Sequence, residues 1–179
     1  EVDTGTTDKV AFILMDDTAP FNITEAPDFS SSNDTQDANF IGAPMFMYVG
    51  EKNPAGNFIE QNGLSGGQLF VWVADSAALT PNDFNGNGSS ETGTWVEIDN
   101  SQNLPQASAD GTTGFDEFGY PTQRNLWIQA KDVGAFQFSR PEDVAVNPEN
   151  GAEIVFASTG REGFANDSDV AGTIYTMTT

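Results

Sequence analysis

Neither cysteine nor histidine occurs among the 179 residues of the chain. The first absence excludes a disulfide framework, a thiolate metal site and a cysteine nucleophile within these residues. The second removes the commonest general base and the commonest zinc ligand, so no Ser-His-Asp triad and no His-rich zinc centre can be assembled from this chain alone. Chemistry is left to carboxylates, arginine, lysine and bound metal. Basic residues are also scarce: six Lys and Arg stand against 27 Asp and Glu, a net charge of −21. Such a field repels nucleic acid and anionic membranes, which argues against a nucleic-acid role. No run approaches the roughly 20 apolar residues of a membrane-spanning helix. Residues 1–7 (EVDTGTT) do not read as a signal peptide, so an exported form would have lost its signal. The acidic surplus suits a surface soluble in salty water or sites for hard cations, which prefer carboxylate and carbonyl oxygens; most of it reads as a solvated surface.

What is present is β-rich. Runs at 9–16 (KVAFILMD), 43–50 (APMFMYVG), 67–74 (GQLFVWVA), 93–99 (GTWVEID), 152–158 (AEIVFAS) and 172–178 (GTIYTMT) combine β-branched and aromatic residues between Gly, Pro, Asn and Asp. They predict strands. Several are apolar on both faces, which predicts sheets packed on each side. One short helix is predicted from Pro121 or Thr122 to Asp132, with Gly134 as its stop signal. Trp72, Trp95 and Trp127 read as core or sheet-face aromatics. Two long polar stretches, 24–40 and 100–118, read as loops that decorate a scaffold or carry ligands. There is no clean internal repeat. The fold expectation is all-β: residues 1–179 as a single segment of a β-propeller, a few blades with long acidic loops, since four complete blades hardly fit this length.

Two segments carry the functional signal. Residues 47–73 read MYVGEKNPAGNFIEQNGLSGGQLFVWV, and residues 138–160 read FSRPEDVAVNPENGAEIVFASTG. Pro141 biases Arg140 toward extended backbone, and in a strand residues two apart share a face, so Arg140 and Glu142 should project together. An arginine fork matches phosphate oxygens, and a neighbouring glutamate can hold a hard cation that polarises a phosphoryl group. The competing reading is a surface ion pair worth less than about 1 kcal/mol.

In content, order and spacing the two segments resemble the PhoX-type alkaline phosphatases, which carry a "YVG…GL-x-x-G-x-L" hairpin and a later "F-x-RPE" strand with an Asp/Asn-Pro turn. The stretch 5–17 (GTTDKVAFILMDD) resembles the strand that precedes them, so the likeness spans most of the chain. It implies a secreted or periplasmic, metal-dependent phosphomonoesterase in which Arg140 contacts phosphate and Glu142 is a metal ligand, with iron and calcium as the metals. Bacterial members also use a cysteine ligand and further carboxylates that have no counterpart here. The resemblance therefore implies that the remaining blades of the same propeller are partners of this segment, and that the segment alone is inactive.

Other candidates stay open at this level. Glu51 and Lys52 end a strand, where a metal or phosphate role competes with a solvated turn. Asp16 and Asp17 are adjacent and point to opposite faces, so one of them at most enters a site. Residues 83–91 (DFNGNGSSE) place Asp83, Asn85 and Asn87 at alternate positions, Gly88 at a turn and Glu91 ninth, like the first half of a calcium loop. Thr94 stands where an EF-hand has its twelfth-position Glu. A plain Asn-Gly turn cluster is the alternative. Arg161, after a strand end, is a phosphate contact or a solvated arginine. The rival to the phosphatase reading is a calcium-stabilised extracellular structural or adhesive propeller module without catalysis.

Overall fold

A computed structural model describes residues 2–15, 42–84, 88–162 and 165–179. Asp16, Asp17, Asn85, Asn87 and the loop 24–40 lie outside the described residues. The chain is all-β apart from short helices. A four-stranded antiparallel sheet is built from β1 (Lys9–Leu14), β3 (Phe46–Glu51), β4 (Gln68–Ala74) and β5 (Gly93–Ile98), adjacent in that order. A three-stranded antiparallel sheet follows from β7 (Pro141–Asn147), β8 (Asn150–Ser158) and β9 (Thr173–Thr178). Two short strands, β2 (Ala43–Pro44) and β6 (Gln137–Phe138), pair with each other. The apolar run 43–50 is thus one sequence signal but two strands, separated at Met45.

Period-2 alternation in β4 explains why its sequence is apolar throughout. Leu69 and Val71 join Ile98, Ala130 and Ala135 in one core, whereas Trp72 and Ala74 face another with Met45, Phe136, Phe138, Ile154 and Phe156. That second core binds the two larger sheets through a run of rings. Trp72 meets Phe136 edge-on at 5.6 Å, Phe136 and Phe138 are 4.8 Å apart, Phe138 meets Phe156 edge-on at 5.1 Å, and Phe156 stacks on Tyr175 at 5.1 Å. Edge-on and offset geometries are those the ring quadrupoles favour.

The predicted helix is α2 (Gln123–Asp132), capped by the Thr122 hydroxyl, which accepts from the Asn125 N–H; Gly134, at φ 77°, follows its end. Ala130 and Leu126 pack on the four-stranded sheet, and the Gln129 amide exchanges two hydrogen bonds with the Asp99 backbone. A one-turn helix, α1 (Phe58–Gln61), is closed by a capping box between Asn57 and Glu60. It sits in the excursion between β3 and β4, whose neck is a backbone crossing: a Cβ on Gly50 would lie 1.8 Å from the Gly63 carbonyl oxygen. The Tyr48 hydroxyl fastens this neck, donating to the Gly63 carbonyl at 3.0 Å and accepting from the Gly67 N–H at 3.1 Å.

The three-stranded sheet is unequal on its two faces. Ile154 and Phe156 face the shared core. The opposite face carries Val155 and Ile174 in water, Ile174 at 70% exposure. Within the described residues β9 pairs only with β8.

Candidate functional site

Arg140 immediately precedes β7 and Glu142 is its second residue. They project together as the intervening proline predicts: an Arg140 guanidinium nitrogen lies 3.4 Å from Glu142 Oε1, with the side chains 39% and 36% exposed. Exposed pairs of this kind contribute little to stability, so the fold does not depend on this one. In the ladder Glu142 stands opposite Ala157, which places it on the outer face of the sheet, away from the aromatic core. A bulge follows at once, with Glu142 paired to Ala157 but Val144 to Phe156, and the extra residue Asp143 takes φ 46°. Such bulges re-aim neighbouring side chains, and aspartate tolerates the left-handed region better than most residues.

The end of β8 grips both members of the pair. The Thr159 hydroxyl donates to Glu142 Oε1 at 3.1 Å, and the Thr159 N–H donates to the Arg140 carbonyl at 2.9 Å. The Arg140 N–H donates to the Ser158 hydroxyl oxygen at 3.2 Å, and that hydroxyl donates to Asp169 Oδ2 at 2.9 Å. Sequence reasoning missed Ser158, Thr159 and Asp169 as members of the site. The one available signal was the pair of hydroxyl residues ending a strand beside Arg161. Arg161 itself lies next to this cluster, its N–H donating to the Asp169 carbonyl at 3.2 Å.

The other candidates are not drawn into the same place. Glu51 is exposed at the end of β3, opposite Lys9. Asp83 caps a local turn, with Oδ2 accepting from the Leu79 and Thr80 N–H groups and from the Thr80 hydroxyl. Glu91 accepts from the Ser76 hydroxyl and N–H. Among the described residues no three acidic side chains converge into a group able to hold a metal ion.

A cavity of about 920 Å³ opens between the two larger sheets. Among the described residues, Trp72, Trp95, Phe138, Tyr175, Met177 and Glu91 line it, and no Lys or Arg does. Neither Arg140 nor Glu142 borders it. This cavity and the Arg140–Glu142 pair are separate features of the molecule.

Fold and site together define an antiparallel β protein that presents an arginine and a carboxylate from one strand edge. The model of the family described as alkaline phosphatase PhoX matches residues 35–178. The chain belongs to that family. No curated protein and no solved structure matches it significantly. No helix among the described residues is long and apolar enough to cross a membrane.

Proposed function

We propose that this chain is a segment of an extracytoplasmic phosphomonoesterase whose two larger sheets are blades of a larger propeller, and that Arg140 is its phosphate contact. The observation that carries the proposal is the Arg140–Glu142 pair itself, held on the outer sheet face at 3.4 Å and gripped from behind by Thr159. The Arg140 fork offers parallel N–H donors to two phosphoryl oxygens, and fixed donors of this kind stabilise the charge that accumulates there as the ester bond breaks. Glu142 holds one nitrogen of that guanidinium at 3.4 Å.

The family resemblance also implies calcium and iron. The described residues do not fit a complete metal centre, because Glu142 Oε1 already takes Arg140 and Thr159 and no two further acidic residues join it. No step is therefore derived through a metal, and the proposal rests on Arg140. In the full-length protein, Arg140→Ala should lower kcat/KM for p-nitrophenyl phosphate by about 10²- to 10³-fold, the usual cost of losing one transition-state donor. Glu142→Gln should lower it as well. Turnover that survives Arg140→Ala would remove Arg140 from the site, and an unsubstituted full-length protein without turnover would reject the phosphatase reading and leave the structural, non-catalytic module as the better account.

A further inference from the structure

We infer that Asp169, acting through Ser158, is a positioning residue for Arg140. This rests on the phosphate role proposed above for Arg140, while the relay itself is built wholly of described atoms. Asp169 is only 3% exposed, a costly place for a carboxylate unless its oxygens are satisfied. Two hydroxyls satisfy them: Ser158 donates to Oδ2 at 2.9 Å and Thr173 donates to Oδ1 at 2.6 Å. An ionised carboxylate accepts and never donates, so the Ser158 proton is committed to Asp169. The lone pairs of the Ser158 oxygen are then left to the Arg140 N–H, which approaches at 3.2 Å. Asp169 thereby fixes the polarity of a bond it does not itself make. Ser158 is 2% exposed, so no bulk water competes for either bond. With the Thr159 N–H on the Arg140 carbonyl at 2.9 Å, both sides of the Arg140 backbone are tied, one to the last residue of β8 and the other to the residue after it.

The turn that delivers Asp169 carries backbone strain. Ala165, Asn166 and Asp167 run consecutively at φ 49°, 54° and 59°, a conformation costing L-residues roughly 1–2 kcal/mol each. Strain of this kind persists where the surroundings over-determine the conformation, and it gathers at functional sites. Here the turn is clamped by glycine: a Cβ on Gly160 would lie 2.6 Å from the Asp169 carbonyl oxygen, and one on Gly172 would lie 2.6 Å from the Ser158 carbonyl oxygen.

The test uses the full-length protein with Ser158→Ala, Asp169→Ala and Ser158→Thr, beside Arg140→Ala. Melting temperature, amide hydrogen exchange at Arg140, the Kd of inorganic phosphate, and KM and kcat for p-nitrophenyl phosphate are measured. Ser158→Ala and Asp169→Ala should each speed exchange at Arg140 and weaken phosphate binding about tenfold, in line with the cost of misplacing a positioned group. Ser158→Thr, which keeps the hydroxyl, should restore both. The double variant should be no worse than either single one, because the two act as one relay. A lowered melting temperature with unchanged phosphate Kd would mark Asp169 as merely structural and overturn the inference. Should the alanine variants fail to fold, Asp169→Leu keeps about the volume but offers the Ser158 hydroxyl no acceptor; unchanged exchange and unchanged Kd there would overturn it equally. An unchanged Kd in Arg140→Ala sinks the phosphate role proposed for Arg140 itself, which separates the two failures.

Discussion

Tyr175 joins the aromatic core to the site's supporting loop. Its ring stacks on Phe156, while burial, reinforced by the negative charge of Asp169, pushes its hydroxyl up to about 12. Because the folded value lies above the unfolded value near 10, the unfolded chain loses this proton first as pH rises. The stabilisation is therefore complete below pH 10 and declines between about 10 and 12. The ultraviolet absorbance of ionised tyrosine should show a component titrating near pH 12 that Tyr175→Phe removes. Tyr175→Phe should also remove the corresponding share of alkaline destabilisation in melting curves, and a titration unaltered by that substitution near pH 12 would contradict this assignment. Asp99 behaves in the opposite sense. The Ser101 hydroxyl at 2.5 Å and the Ser101 N–H at 2.8 Å hold its carboxyl below the usual value, so what it contributes is lost as pH falls through the folded value.

Among the elements, the β3–β4 excursion shows how a motif can be structural and still identify a family. Gly50 and Gly67 are required because a Cβ at the first would strike the Gly63 carbonyl and one at the second would strike the Tyr48 ring, 2.2 Å from its Cζ. Gly50→Ala should cost about 3 kcal/mol, the upper end of overpacking penalties, and be read as a lower urea midpoint at unchanged slope. Tyr48→Phe, which removes the hydroxyl from the neck, should cost less, near 1 kcal/mol. Much of this architecture was legible beforehand. Six strands follow from their apolar runs, and α2 from Thr122 and Gly134, because period and caps are local signals. Strand β6 and helix α1 were not, since two residues carry no period and a single turn is decided by its capping box. The adjacency of Arg140 and Glu142 could be read from one proline. Asp169 could not, because it reaches the site through a turn of three consecutive left-handed residues, Ala165, Asn166 and Asp167, that no local pattern predicts.

At the scale of the molecule, the ring run from Trp72 on β4 to Tyr175 on β9 couples the two larger sheets. They should melt in one transition, with tryptophan fluorescence and far-UV dichroism coincident. Phe138, which touches Trp72, Phe136, Phe156 and Tyr175, is the residue whose loss should hurt most: Phe138→Ala should cost 3–5 kcal/mol, a range typical of buried aromatic truncations and read here as about that size. The calcium implied by the family is checked on the same curves. Binding to the folded form alone adds about 2.7 kcal/mol at a hundredfold excess over Kd, so calcium held by the full-length protein would show as a melting temperature lowered by a chelator at matched ionic strength. An unchanged curve would remove calcium from the account, including from the turn at Asp83 and Glu91.

Among the described residues β9, Thr173–Thr178, is an edge strand, and its sequence TIYTMT has no charge and no proline of the sort that guards such an edge. Its protection is supplied from a distance, because two copies each carrying −21 repel before their edges can meet. That repulsion is screened over roughly 10 Å at 0.1 M salt and over about 3 Å at 1 M. The colloidal behaviour of the chain should accordingly invert the usual salting-in. Light scattering should reveal strand-to-strand association that grows with sodium chloride, and Thr176→Lys should suppress it by giving the edge a guard of its own.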